Sequence, residues 1–124
     1  MKPVIKIKRA YDAPSEKDGM RVLVDRLWPR GIKKEDLKVD LWLKEVAPSE
    51  VIRKWFSHDP ERWVEFKSHY FEELREKDEL LKPVINASEK VVTLVYGSKN
   101  TEINNAVALK EYIEREKHGT RKAA

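Results

Sequence analysis

The run Val91-Val-Thr-Leu-Val-Tyr96 is apolar at five of its six positions. A strand with one wet face alternates polar and apolar residues, so a run without alternation reads as a strand covered on both sides. A second run, residues 21–27, has the same character up to Val24. It then places Asp25 and Arg26 where the chain should leave the core. Between the two runs lie segments with helical spacing. Strands alternating with helices predict a mainly parallel sheet flanked by helices, with right-handed crossovers. The expected fold is therefore α/β: a three-layer single domain over residues 1–124, of a length that buries one core and leaves no room for a separate cofactor domain.

The remaining elements follow from local signals. Residues 4–9 alternate apolar and charged side chains and read as a strand near an edge. Residues 11–20 hold Pro14, Ser15, Asp18 and Gly19, which is loop chemistry. A turn or short helix is expected over 31–36. Residues 39–46 alternate Val39, Leu41 and Leu43 against Asp40, Trp42 and Lys44, which predicts a third strand, with a helix as the alternative. Ser49 is a candidate N-cap for a helix over 50–57. Asp59-Pro60 supplies a cap and a first-turn proline for a helix carrying Trp63, Phe66, Tyr70 and Leu74 on one face to about Lys77. Residues 78–87 read as a helix interrupted at Pro83. A last helix is expected over 102–117, with Ile103, Ala106, Val107 and Ile113 facing the core and Gly119 beyond its end.

Composition narrows the function classes. There is no cysteine, which excludes disulfides, thiolate metal sites and thiol nucleophiles. There is no glutamine, and 39% of residues are charged, a heat-tolerant composition. No apolar run approaches the ~20 residues of a membrane span, and the N-terminus lacks the apolar core of a signal peptide. A cytoplasmic protein with no membrane partner is expected. The net charge is +4 and the pI about 9.2. That is a modest excess without the basic stripe of a duplex-DNA binder. The one basic-biased stretch, 115–122, reads as a solvated terminus.

Ligands of open α/β sheets bind beyond the carboxyl ends of the strands. Here that edge should carry Arg26, Trp28, Arg30, Ser49, Tyr96, Ser98 and Lys99. Arginine binds carboxylate or phosphate bidentately and stacks on indole, which makes Arg26, Trp28 and Arg30 candidates for holding an anion. The loop Gly97-Ser98-Lys99 joins a buried strand to a helix N-terminus, where free N–H groups favour negative charge. It matches neither a Walker A nor a dinucleotide fingerprint, and an ordinary connecting loop capped by Thr101 explains it slightly better than an anion site does. Asp25 reads best as one half of a buried ion pair with Arg26. His58 beside Asp59 has the composition of a general-base pair, although such an Asp is more often a cap. His58 and His69 do not have metal-ligand spacing, so no metal and no cofactor are expected. Lys54 and Trp55, with Arg30, would suit stacked single-stranded nucleic acid, against a core role for the aromatics.

The motifs LVDRLWPRG, WLKEVAPS, RKWFSHDPERW and VTLVYGSKNTEINNAVALKEYI together span nearly the whole chain. They resemble the DUF488 family, and within it the short YeaO-like branch. The resemblance implies an α/β fold of Rossmann-like or rhodanese-like topology and brings no reaction with it. Longer members of that family carry a cysteine in the loop after the last long strand. Here the loop reads Tyr96-Gly97-Ser98-Lys99, so sulfur-transfer and cysteine-phosphatase chemistry do not carry over. Members of the branch often have a histidine shortly before an asparagine; in this chain Ile103 precedes Asn104. Arg26, Trp28, Pro29, Arg30, Trp55, His58, Asp59 and Asn104 match the family pattern, which adds Asn104 to the candidate ligand residues. Three readings follow: first, and preferred, a site for a small anionic ligand, with His58 the best proton-transfer candidate and Asp59 beside it; second, a nucleic-acid module; third, a protein-interaction scaffold.

Overall fold

The computed structural model describes residues 2–117. Gly119 and the basic tail past Lys117 lie outside the described residues. Four strands form one sheet: β1 (Val4–Arg9), β2 (Met20–Leu23), β3 (Leu41–Trp42) and β4 (Val91–Tyr96). Their order is β1-β4-β2-β3, and every neighbouring pair is parallel. The helices are α1 (Lys34–Leu37), α2 (Glu50–Phe56), α3 (Trp63–Arg75), α4 (Asp78–Ile85) and α5 (Asn105–Lys117). All strands being parallel, their carboxyl ends share one edge of the sheet. Among the described residues, no helix is long and apolar enough to cross a membrane.

Successive strand residues point to opposite faces, and the two cores divide accordingly. Val22 and Val24 of the second strand segment, with Leu94 and Tyr96 of β4, face a large core filled by Phe56, Phe66, Tyr70, Leu74, Leu81 and Leu109 from the long helices. Leu23 and Val95 face a smaller core with Leu37 of α1, Trp28, Ile32, Val39 and Trp42. The sheet is thus covered on both sides, unequally. β1 lies at one edge, as its alternation predicts.

Four expectations need correction. The 21–27 strand ends at Leu23. Val24 N–H still donates to Val95 O at 3.1 Å, but Asp25 then turns the chain out of the ladder. The third strand is two residues long, because Leu43 begins a 3₁₀ turn over Lys44–Val46. α4 runs through Pro83 without interruption. Leu81 and Val84, both fully buried, hold this segment in helical register across the proline. α5 starts at Asn105 rather than 102, because the Asn100 side chain accepts the N–H groups of both Glu102 and Ile103 at 2.9 Å. That local turn competes with a first helical turn.

The entry to β2 has its own requirement. Gly19 has φ +64°, and a Cβ there would stand 2.1 Å from the carbonyl oxygen of Val91. Only glycine allows β2 and β4 to approach this closely. Beside it, Asp18 and Arg21 are both buried and joined at 2.7 Å, with Lys8 on the same carboxylate at 3.1 Å. Arg21 also donates to Leu37 O through Nε and Nη2. Burial works to raise the Asp18 carboxyl, but the Ser15 N–H, Lys8 and Arg21 outweigh it and hold the group below its ordinary value.

Candidate functional site

A cavity of about 380 Å³ opens at the carboxyl ends of β2 and β4. Asp25, Arg26 and Leu27, just past β2, form one wall. Ala47, Pro48 and the α2 residues Glu50, Arg53 and Phe56 form the second. Ser98, Ile103, Asn104 and Asn105 close it from the connection between β4 and α5, with His58 at the mouth and Phe66 of α3 beneath.

Asp25 organises this corner. Its Oδ2 accepts the Gly97 N–H at 2.8 Å, and its Oδ1 accepts the Asn105 amide at 3.1 Å. Its backbone carbonyl accepts the Trp42 indole N–H at 2.8 Å. One residue therefore ties together the ends of three strands and the start of α5. Burial raises the Asp25 carboxyl above its ordinary value, with the Gly97 N–H and the Asn105 amide opposing. The expected Asp25–Arg26 ion pair does not form. None of the ion pairs among the described residues involves either side chain.

Arg26 is held differently. Its Nη2 donates to the carbonyls of Ala47 and Pro48 at 3.2 and 3.4 Å. Its Nε is buried with no acceptor among the described residues. Carbonyl oxygens orient a guanidinium without neutralising it, so a half-buried positive charge stands in the cavity wall with no counter-ion among the described residues.

The other candidates divide. Ser98 lines the cavity, its Oγ accepting Asn100 N–H at 3.1 Å and its carbonyl accepting Arg9 Nε at 2.9 Å. The Gly97 N–H is taken by Asp25, and Lys99 is exposed outside the cavity lining. Asn104 lines the cavity but is engaged within the protein, donating to Asn100 O at 2.7 Å and accepting Val107 N–H at 2.9 Å. Tyr96, buried, is raised above its ordinary pKa by desolvation, with a hydrogen bond to Asn104 opposing. Ser49 caps α2, accepting Ile52 N–H at 3.4 Å.

Trp28 and Arg30 are not brought to the cavity. The Trp28 indole donates to Ile32 O at 2.7 Å and sits edge-on to Trp42 in the smaller core. Arg30 is exposed, and its carbonyl accepts the Tyr11 hydroxyl at 2.9 Å. A two-arginine clamp of Arg26 and Arg30 is thus not formed; the second arginine in the cavity is Arg53. His58 reaches the cavity with φ +60°. Asp59 caps the following turn through Glu61 N–H at 3.0 Å and lies 3.7 Å from Arg62, away from any pairing with His58. Lys54 pairs with Glu50 at 3.4 Å, and the Trp55 ring is flanked by Arg62 and His69. No group of three metal-ligating side chains comes together among the described residues.

Sequence reasoning missed Glu50, Arg53, Phe56 and Asn105 as cavity residues. A signal for three of them existed: positions 50, 53 and 56 recur every three residues and so share one face of a helix. Asn105 had none, since its role depends on where β2 ends.

With this geometry in view, the chain's relatives can be placed. Residues 4–124 match the family model described as the inactive DUF488-N3 subclade. The uncharacterized protein YeaO of Escherichia coli is 42% identical over 110 residues, covering 88% of this chain and 96% of that protein. The uncharacterized protein Rv3073c of Mycobacterium tuberculosis is 39% identical over 109 residues, covering 88% and 92% respectively. No solved structure matches the chain. Matched over nearly its whole length, the chain belongs to the inactive DUF488-N3 subclade of the DUF488 family.

Proposed function

We propose that the cavity binds a small ligand carrying an anionic group, and that the protein acts by binding rather than by catalysis. The observation that carries this reading is Arg26. Desolvating a guanidinium is costly unless an anion compensates. Here the protein supplies two carbonyls and no carboxylate. Nη2 is fixed by those carbonyls, which orients the planar fork before any ligand arrives, and a pre-oriented arginine suits a carboxylate or phosphate. The binding-only part rests on chemistry: the chain has no cysteine, and Asp59 is taken up by a cap and an ion pair rather than by His58. The description of the subclade as inactive agrees with it.

The test is a thermal-shift titration with small carboxylates and inorganic phosphate. A ligand at a hundred times its dissociation constant adds about 2.7 kcal/mol, or about 10 °C for a chain of this size. Arg26→Gln should abolish the shift. An equal shift in that variant, or no shift with any anion, would remove the anion site.

A further inference from the structure

Resting on that anion site, we propose that the ligand is a free α-amino acid with an apolar side chain, its carboxylate held by Arg26 and its ammonium by Asp25. Adjacent in the chain, these two residues line one cavity, carry opposite charges and, among the described residues, are not paired with each other or with any other ion. Their partners explain why. Arg26 is drawn toward the Ala47 and Pro48 carbonyls, while Asp25 is drawn the opposite way, toward Gly97 N–H and Asn105. Each charge is oriented by neutral groups, and each still lacks a counter-ion. A molecule that presents both signs a few atoms apart satisfies both at once.

The rest of the lining fits the same ligand. Arg53 and Glu50 face each other at 3.8 Å, so the lining holds two cations and two carboxylates. A phosphate dianion entering such a neutral lining would meet repulsion from Asp25 and Glu50 that the ammonium of a zwitterion offsets. The Ser98 hydroxyl, an acceptor toward Asn100 N–H, keeps its own proton to donate to a carboxylate. The Asn105 side-chain carbonyl has no partner among the described residues and is an acceptor for an ammonium. Phe56, Phe66, Ile103 and Leu27 supply an apolar surface for a side chain. Cavities of this kind, mostly apolar with a few convergent polar groups, are ordinary small-molecule sites.

The experiment compares four probes by tryptophan fluorescence on the full chain: phenylalanine, N-acetylphenylalanine, phenylalaninamide and inorganic phosphate. Trp63 is the reporter, because its ring stacks at 5.7 Å on Phe66, the floor of the cavity. Phenylalanine should saturate the signal, with the acetylated and amidated forms each weaker by about tenfold or more. In Arg26→Gln, phenylalanine and its amide should bind alike. In Asp25→Asn, phenylalanine and its N-acetyl form should bind alike. Should Asp25→Asn fail to fold, the comparison of the three phenylalanine forms on the wild-type chain decides by itself. N-acetylphenylalanine or phosphate binding as tightly as phenylalanine would overturn the zwitterion and leave the anion site standing. Phenylalaninamide binding as tightly would overturn the role of Arg26. Absence of binding by all four would overturn both readings.

Discussion

Replacing Asp25 by Ala tests whether this carboxylate organises the strand ends as described. The substitution removes the acceptor of Gly97 N–H, while the Asn105 amide keeps its bond to Val24 O at 3.2 Å. One backbone donor is left unsatisfied, which costs about 1–3 kcal/mol. Against this, a carboxylate that burial disfavours and no cation neutralises is removed, so the lower half of that range, about 1–2 kcal/mol at pH 7, is expected. For 124 residues the unfolding entropy is about 0.26 kcal/mol/K, so the melting temperature should fall by about 4–8 °C. The pH dependence has a definite sign. The folded-state pKa of Asp25 is raised, so the native chain holds this proton more firmly than the unfolded chain. Its contribution to stability is full below the unfolded carboxyl pKa and declines as pH rises through the raised folded value. The stability gap between wild type and variant should therefore be wider in acid and narrow toward neutrality. Urea unfolding across this pH range measures the gap, and amide exchange at Gly97, faster in the variant, localises it. Equal stability at pH 7, or a gap that widens as pH rises, would refute the assignment.

Two further expectations concern the frame rather than the site. Gly19→Ala should destabilise the chain by about 3 kcal/mol or more, since the new Cβ meets a backbone oxygen and φ is positive; Gly31→Ala, at φ +82° with open space around it, should cost only about 1 kcal/mol, and similar melting points for the two would contradict the packing argument. Asp18→Asn should cost about 3–5 kcal/mol by leaving Arg21 buried without its carboxylate. Because the Asp18 pKa is depressed, its contribution is present above the unfolded carboxyl pKa and lost as pH falls through the folded value, so acid unfolding curves of wild type and variant should converge.

What the sequence revealed depended on whether the signal was local. β4 and the capped starts at Ser49 and Asp59 were legible because hydropathy and cap chemistry act over a few residues. The strand expected over 39–46 formed only at Leu41–Trp42, because alternation at Val39, Leu41 and Leu43 records burial in two different cores, not a continuous ladder. The start of α5 was misplaced because Asn100 satisfies two N–H groups that a helix would otherwise recruit. At the site, Arg26 was found from its position past a buried strand. Trp28 and Arg30 follow it in the chain but leave the cavity, since the Trp28 indole packs beneath the opposite face of the sheet. Arg53 replaces Arg30 from a helix more than twenty residues away, a juxtaposition that only the fold creates.

The strand order has a consequence for how the molecule comes into being. β4 separates β1 from β2, with Val4 opposite Val91 and Met20 opposite Val92. During synthesis, β1 and β2 emerge unable to pair with each other and wait until residues 91–96 have left the ribosome. The sheet is then assembled by insertion of its middle member. Pairing over such sequence distances is slow, and in the interval the apolar segment around Val22–Val24, fully buried once folded, is exposed to aggregation.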